Sequence, residues 1–149
     1  MKKLLLLILF IPLLISCNED QTIDPTVMPE ATTTGANTFG CLVDGWIYVG
    51  GRYSYLLQSP GSALTFRYNK ERETMEAEAM VRNGVLIKFS IVNPRDNMET
   101  VYVNATFDEG ALPNGKVFIT RFDREAKIIS GRFEGERMTH GRFDMVYKE

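Results

Sequence analysis

Apolar and polar residues alternate along most of this chain from Phe39 onward. A period of two marks β-strands that bury one face. Leu64, Phe66 and Tyr68 fall on one side of such a run, with Thr65, Arg67 and Asn69 on the other. Val85, Ile87, Phe89 and Ile91 alternate with Leu86, Lys88, Ser90 and Val92, and Val101, Val103, Ala105 and Phe107 alternate with Tyr102, Asn104 and Thr106. Further on, Phe118 and Phe122 oppose Val117 and Ile119. Ile129, Gly131 and Phe133 oppose Ser130, Arg132 and Glu134, and Phe143, Met145 and Tyr147 oppose Arg142 and Asp144. Asp44-Gly45 between two apolar runs is a two-residue hairpin signal. Pairing outward from it sets Val43 against Trp46 and Cys41 against Tyr48, so Phe39, Cys41, Val43, Trp46 and Tyr48 share a face.

The segment Glu71 to Val81 carries two readings. Its Glu, Ala and Met are good helix formers, and Asn83-Gly84 is a helix-ending pair. A three-residue loop at Arg82-Asn83-Gly84 instead sets Val81 against Val85, Ala79 against Ile87, Ala77 against Phe89 and Met75 against Ile91, with Glu78 facing Lys88. A register shifted by one residue would mix the faces, so the cross-strand match favours a hairpin. The expected fold is all-β: an antiparallel β-sandwich or flattened barrel of about eight strands over residues 39–149.

The first apolar run is of another kind. Lys2 and Lys3 precede about twelve apolar residues, Leu4 to Ile15, too few for the ~20 that cross a bilayer. A basic start, a short apolar core and a small residue before the cut describe a secretory signal peptide over residues 1–16. Leu14-Ile15-Ser16-Cys17 resembles the lipobox of bacterial lipoproteins, which implies that Cys17 is acylated, with palmitate among the chains, and becomes the mature N-terminus. Asn18-Glu19-Asp20 is similar to the acidic signal that sends Bacteroidetes lipoproteins to the outer face of the outer membrane; the alternative is an anchor facing the periplasm.

Residues 17–38 read as a flexible acidic tether, rich in Thr and Pro, with Glu19, Asp20, Asp24 and Glu30 and no base. The remainder, Phe39 to Glu149, holds 15 acids and 15 bases, so the domain has no electrostatic footprint for nucleic acid. With Cys17 acylated, Cys41 has no disulfide partner and is expected in the core beside the aromatic hairpin. Removal of 16 residues leaves 133, enough for one self-sufficient core.

Three segments carry a wider resemblance: Gly35 to Gly45 (GANTFGCLVDG); Ile119 to Asp123 (ITRFD) with Lys127 to Glu134 (KIISGRFE); and Gly141-Arg142-Phe143-Asp144 with Tyr147. Together they are similar to an uncharacterised family of Bacteroidetes lipoproteins, a domain of unknown function. The resemblance implies a β-rich, lipid-anchored fold and supplies no activity. Gly-Arg-Phe occurs at both 131–133 and 141–143, a loose echo within the chain.

Candidate chemistry is sparse. His140, the one histidine, reads as a solvated residue in a turn before Gly141. One His and one buried Cys cannot assemble the three or four ligands of a zinc site, and Cys41 and His140, the nucleophile and base on offer, sit at opposite ends of the domain in sequence. Acid pairs such as Glu76/Glu78 and Asp123/Glu125 read as solvated strand faces rather than a glycosidase pair. A non-enzymatic chain without a cofactor is therefore expected. Arg121, Arg124, Arg132, Arg137 and Arg142 are dense, and on neighbouring strands they could gather and grip a carboxylate or a sulfated sugar. Pairing with Asp123, Glu134, Glu136 and Asp144 is the competing explanation. Arg52, Tyr53, Tyr55, Arg121, Arg132 and Arg142 are the candidate ligand contacts. The expected role is a surface-exposed, membrane-anchored module that binds a protein or glycan. A lipocalin-like carrier of a lipophilic molecule in an internal cavity is the alternative, and a filled core would favour the binding module.

Overall fold

The computed structural model describes residues 26–50, 64–81 and 84–149. Cys17, Arg52, Tyr53 and Tyr55 therefore lie outside the described residues, as do Arg82 and Asn83 of the loop that follows Val81. The described chain is all-β and antiparallel. Ten strands run β1 (Thr38–Val43), β2 (Trp46–Gly50), β3 (Leu64–Asn69), β4 (Thr74–Met80), β5 (Leu86–Val92), β6 (Met98–Phe107), β7 (Gly110–Ala111), β8 (Gly115–Asp123), β9 (Ile128–Gly135) and β10 (Met138–Val146). The sheet order is β2-β1-β10-β9-β8-β6-β5-β4-β3, with the short β7 paired to β6 alone. The sheet curls until its ends meet. Gly50 bridges to Val81, and beside β3 the Tyr68 N–H donates to Lys148 O while the Lys148 N–H donates to Phe66 O. A nearly closed barrel leaves little open strand edge for unwanted pairing.

The local chemistry explains the pairings. Asp44 (φ 51°) and Gly45 (φ 81°) both take positive φ, as a type I′ hairpin turn requires, and Cys41 pairs with Tyr48 and Val43 with Trp46. Segment 71–81 resolves as a turn at 71–73 followed by strand β4. Ala79 faces Ile87, Ala77 faces Phe89, Met75 faces Ile91 and Glu78 faces Lys88, while Val81 N–H donates to Val85 O at 2.8 Å. Burial of one complete apolar face outweighs the helix propensity of Glu, Ala and Met.

Two bulges overturn the expected alternation. In β6 the register slips opposite Lys88–Ser90, and Asn104 takes a left-handed φ of 55°. Tyr102 and Ala105 therefore both point inward, and Val101 is left exposed. In β8 the register slips between Ile119 and Arg121, so Val117, Ile119 and Phe122 share the inner face and Phe118 points outward. One extra residue reverses every side chain beyond it. His140 is corrected in the same way: it lies inside β10, with φ 52° beside the slip between Gly40 and Leu42, rather than in a turn. Trp46 faces the same side as Val43, but at the hairpin tip it projects past the barrel and is 74 % exposed.

Rings fill the interior. Phe39 of β1 lies 6.3 Å from Phe89 of β5, which lies 5.2 Å from Phe133 of β9. Phe66 of β3 meets Phe143 of β10 at 5.2 Å. These pairs cross the barrel between strands that are not neighbours, so among the described residues aromatic rings occupy its middle.

The Gly-Arg-Phe echo has a structural meaning. The two copies pair antiparallel, Gly141 with Phe133, Arg142 with Arg132 and Phe143 with Gly131. Each phenylalanine lies over the other copy's glycine: a Cβ on Gly141 would sit 2.1 Å from the Phe133 ring, and one on Gly131 would sit 2.9 Å from Phe143. Rings laid over glycines are a device that pins strand register.

Cys41 is fully buried and unpaired, and burial pushes its thiol up to about 12. Its thiolate is therefore scarce at neutral pH. Treatment of the native protein with a thiol-exchange reagent is expected to leave Cys41 unmodified, with one equivalent reacting once denaturant is added. Rapid labelling of the folded protein would contradict this.

Candidate functional site

On the outer face of β8, β9 and β10 the structure brings together three of the predicted contact residues. Arg132 lies directly across from Arg142, Phe118 lies across from Arg132, and Arg121 lies across from Ser130, two residues along β9. Two of these arginines are already engaged. Arg142 Nη1 donates to Pro29 O at 3.0 Å, and Arg121 donates to Thr33 O at 2.6 Å and to Asp123 Oδ2 at 2.7 Å. Their shared target is the chain leading into β1.

Within the tether expected over residues 17–38, the described stretch from Met28 to Asn37 departs from that expectation. It is strapped across the outer face of the barrel. Met28 and Pro29 lie against Gly40, and Asn37 Oδ1 accepts the Val146 N–H. At its centre is Asp144, which is 1 % exposed although the strand pattern puts it on the outer, polar face. Asp144 Oδ1 accepts the Gly35 N–H at 2.8 Å and the Ser130 hydroxyl at 2.7 Å. Asp144 Oδ2 accepts the Thr32 hydroxyl at 2.6 Å, the Thr34 N–H at 2.9 Å and the Ala36 N–H at 3.1 Å. Three successive N–H groups, with Gly35 at φ 77°, make the concave anion-binding loop called a nest. Burial alone would raise the Asp144 carboxyl, but the bonds from Ser130, Thr32, Ala36 and Gly35 outweigh it and bring it down to about 2. The sequence offers a retrospective signal for this: a threonine run followed by Gly35 supplies hydroxyl and N–H donors and no acid of its own.

Next to the strap, where β8 runs into its turn, lies an open cleft of about 630 Å³. Its walls are Thr33 of the strap, Asp96 of the β5–β6 loop and the segment from Thr120 to Arg124. Asp96 Oδ1 accepts the Phe122 N–H at 2.8 Å, which holds the end of bulged β8. Asp123 Oδ1 accepts the Glu125 and Ala126 N–H groups, closing the turn. The Ala126 N–H and then Arg121 hold the Asp123 carboxyl below its usual range, against a smaller opposing effect of burial. Behind the cleft, Tyr68, Phe122 and Tyr147 form a ring triad with centroids 5.2–6.0 Å apart. The Arg124 guanidinium lies over two of these rings, 5.7 Å from Tyr68 and 5.6 Å from Phe122.

The arginine cluster therefore divides by function. Arg137 clasps Asp44 through two bonds of 2.9 and 2.6 Å and ties the β1–β2 turn to the β9–β10 turn. Arg121 and Arg142 hold the strap. Arg132 is exposed beside Phe118, and Arg124 stands at the cleft. No cluster of three or more potential metal ligands occurs among the described residues. No protein-family model matches the chain, and no curated protein or solved structure matches it.

Proposed function

We propose that this chain is a lipid-anchored protein of the cell envelope, held to the outer membrane through acylated Cys17, that binds a protein or glycan through the outside of its barrel. The anchor rests on the basic start, the short apolar run and Leu14-Ile15-Ser16-Cys17. The observation that carries the outward-facing role is the ring contact across the barrel: Phe39, Phe89 and Phe133 touch where a carrier would need its cavity. The cleft beside the strap, by contrast, is open to solvent and lined by charged and hydroxyl groups.

Cells fed an alkyne analogue of palmitate test the anchor. The expected result is label on the wild-type chain and none on Cys17→Ala; label that survives the substitution would refute lipidation at this residue. Protease treatment of intact cells then reads the membrane face. Cleavage of the barrel without lysis is expected for the outer surface, and protection until the outer membrane is opened would put the anchor on the periplasmic side.

A further inference from the structure

We infer that the cleft beside the β8–β9 turn takes a singly charged oxyanion carried on a sugar, a uronate carboxylate or a sulfate monoester, and that Arg124 is the residue that grips it. This deepens the outward-facing binding role and rests on it. Among the described residues that line the cleft, Arg124 is the one cation without an ion pair. Arg121 is bonded to Asp123 and to Thr33 O. Asp123 is taken by Arg121 and two turn N–H groups, and Asp96 by the Phe122 N–H. Arg124 makes no ion pair with a described carboxylate; its one side-chain hydrogen bond among the described residues is a long one, 3.4 Å, to the Tyr68 hydroxyl.

Its guanidinium is nevertheless held in place. Its contacts with the Tyr68 and Phe122 rings restrain the side chain, so less side-chain freedom is lost when a ligand binds. A guanidinium carries paired N–H donors that match the two oxygens of a carboxylate or sulfate. Thr33 and Thr120 add hydroxyls within the same walls, which suit a polyol. The charge of the ligand is limited by Asp96 and Asp123, whose carboxylates line the cleft with it. A second negative charge on the ligand meets like-charge repulsion without a second free cation to offset it.

The test is a two-dimensional amide NMR titration of the full mature chain with glucuronate, glucose 6-sulfate, glucose 6-phosphate and glucose. Saturable shifts confined to Thr33 and Thr120–Arg124 are expected with glucuronate, glucose 6-sulfate or both, at least tenfold tighter than with glucose. Arg124→Gln is expected to weaken that binding tenfold or more. Arg124→Lys keeps the charge but loses the fork, and should weaken it several-fold. Arg67→Gln, an exposed arginine on β3, should change nothing, and melting curves of all three variants report their folding. Wild-type affinity in Arg124→Gln would overturn the assignment, as would tighter binding of glucose 6-phosphate at pH 8, where it is a dianion. Glucose binding as tightly as glucuronate would overturn the anion inference while leaving the outward-facing role intact. Shifts that appear at Phe39, Phe89 and Phe133 instead would overturn that role itself.

Discussion

Replacement of Asp144 by alanine is expected to cost about 3–5 kcal/mol of unfolding free energy and to release the strap from the barrel. The carboxylate is the common acceptor for Thr32, Thr34, Gly35, Ala36 and Ser130. Without it the nest N–H groups keep their crowded geometry and lose their partner, and Arg121 and Arg142 are left holding a loose segment. For a domain of this size the loss corresponds to a fall in Tm of roughly 10–20 °C. Asp144→Asn preserves the shape but turns an NH2 group toward donors, so it should recover little. Hydrogen exchange locates the effect: the amides of Thr34, Gly35 and Ala36 should be protected in the wild type and exchange freely in the variant. A cost under about 1 kcal/mol, with those amides still protected, would show that the strap does not depend on this residue.

The same carboxylate sets a pH dependence. Its folded pKa of about 2 lies below the usual carboxylate value, so the folded state binds its proton less readily than the unfolded chain does. The resulting stability is fully present above about pH 4 and is lost as the pH falls toward 2. Acid titration should therefore narrow the gap between wild type and Asp144→Asn by about 2 kcal/mol as the pH falls through that window, leaving the remainder of the variant's loss in place.

The second large effect concerns the paired Gly-Arg-Phe segments. A methyl group at Gly141 would overlap three carbons of the Phe133 ring at 2.1–2.3 Å. That ring cannot swing aside, because Phe39, Phe89, Tyr102 and Phe143 surround it. Gly141→Ala is expected to destabilise the barrel by about 3 kcal/mol, at the upper end for overpacking a core. Phe133→Leu added to Gly141→Ala should restore part of the loss, since the smaller side chain leaves room for the methyl. Additive losses in the double variant would mean that the ring and the glycine do not interact, and would remove the register-pinning role of the repeat.

Where the alternation was unbroken, the sequence was enough to place the strands. The Asp44-Gly45 turn, the β4–β5 register and the inward faces of β3 and β5 follow from period two and from turn residues that tolerate positive φ. It stopped being enough at the bulges. Asn104 carries a faint signal, because asparagine accepts the left-handed conformation, but Thr120 carries none. Each slip exchanges inner for outer positions, which is why Tyr102 and Phe122 join the core and Phe118 faces solvent.

The functional face was legible in part. Arg121, Arg132 and Arg142 do share one face of the sheet, yet Arg121 and Arg142 turn out to secure the strap. Composition hid the strap, because Thr, Gly and Ala bury little apolar surface and read as unstructured. Its order comes from hydrogen bonds to one buried carboxylate, a long-range partner more than 100 residues away in the chain. Arg124 gains its importance only from Tyr68 and Phe122, which the fold brings beneath it from β3 and β8.

The most direct measurement of the central claim, a filled barrel that binds with its outside, is native mass spectrometry of the mature chain extracted from its own membrane in mild detergent. The expected mass is the polypeptide from Cys17 plus its acyl chains, with no further apolar molecule travelling with it. A lipophilic guest carried one to one and released only on unfolding would show that the barrel holds a cavity, and would contradict the account.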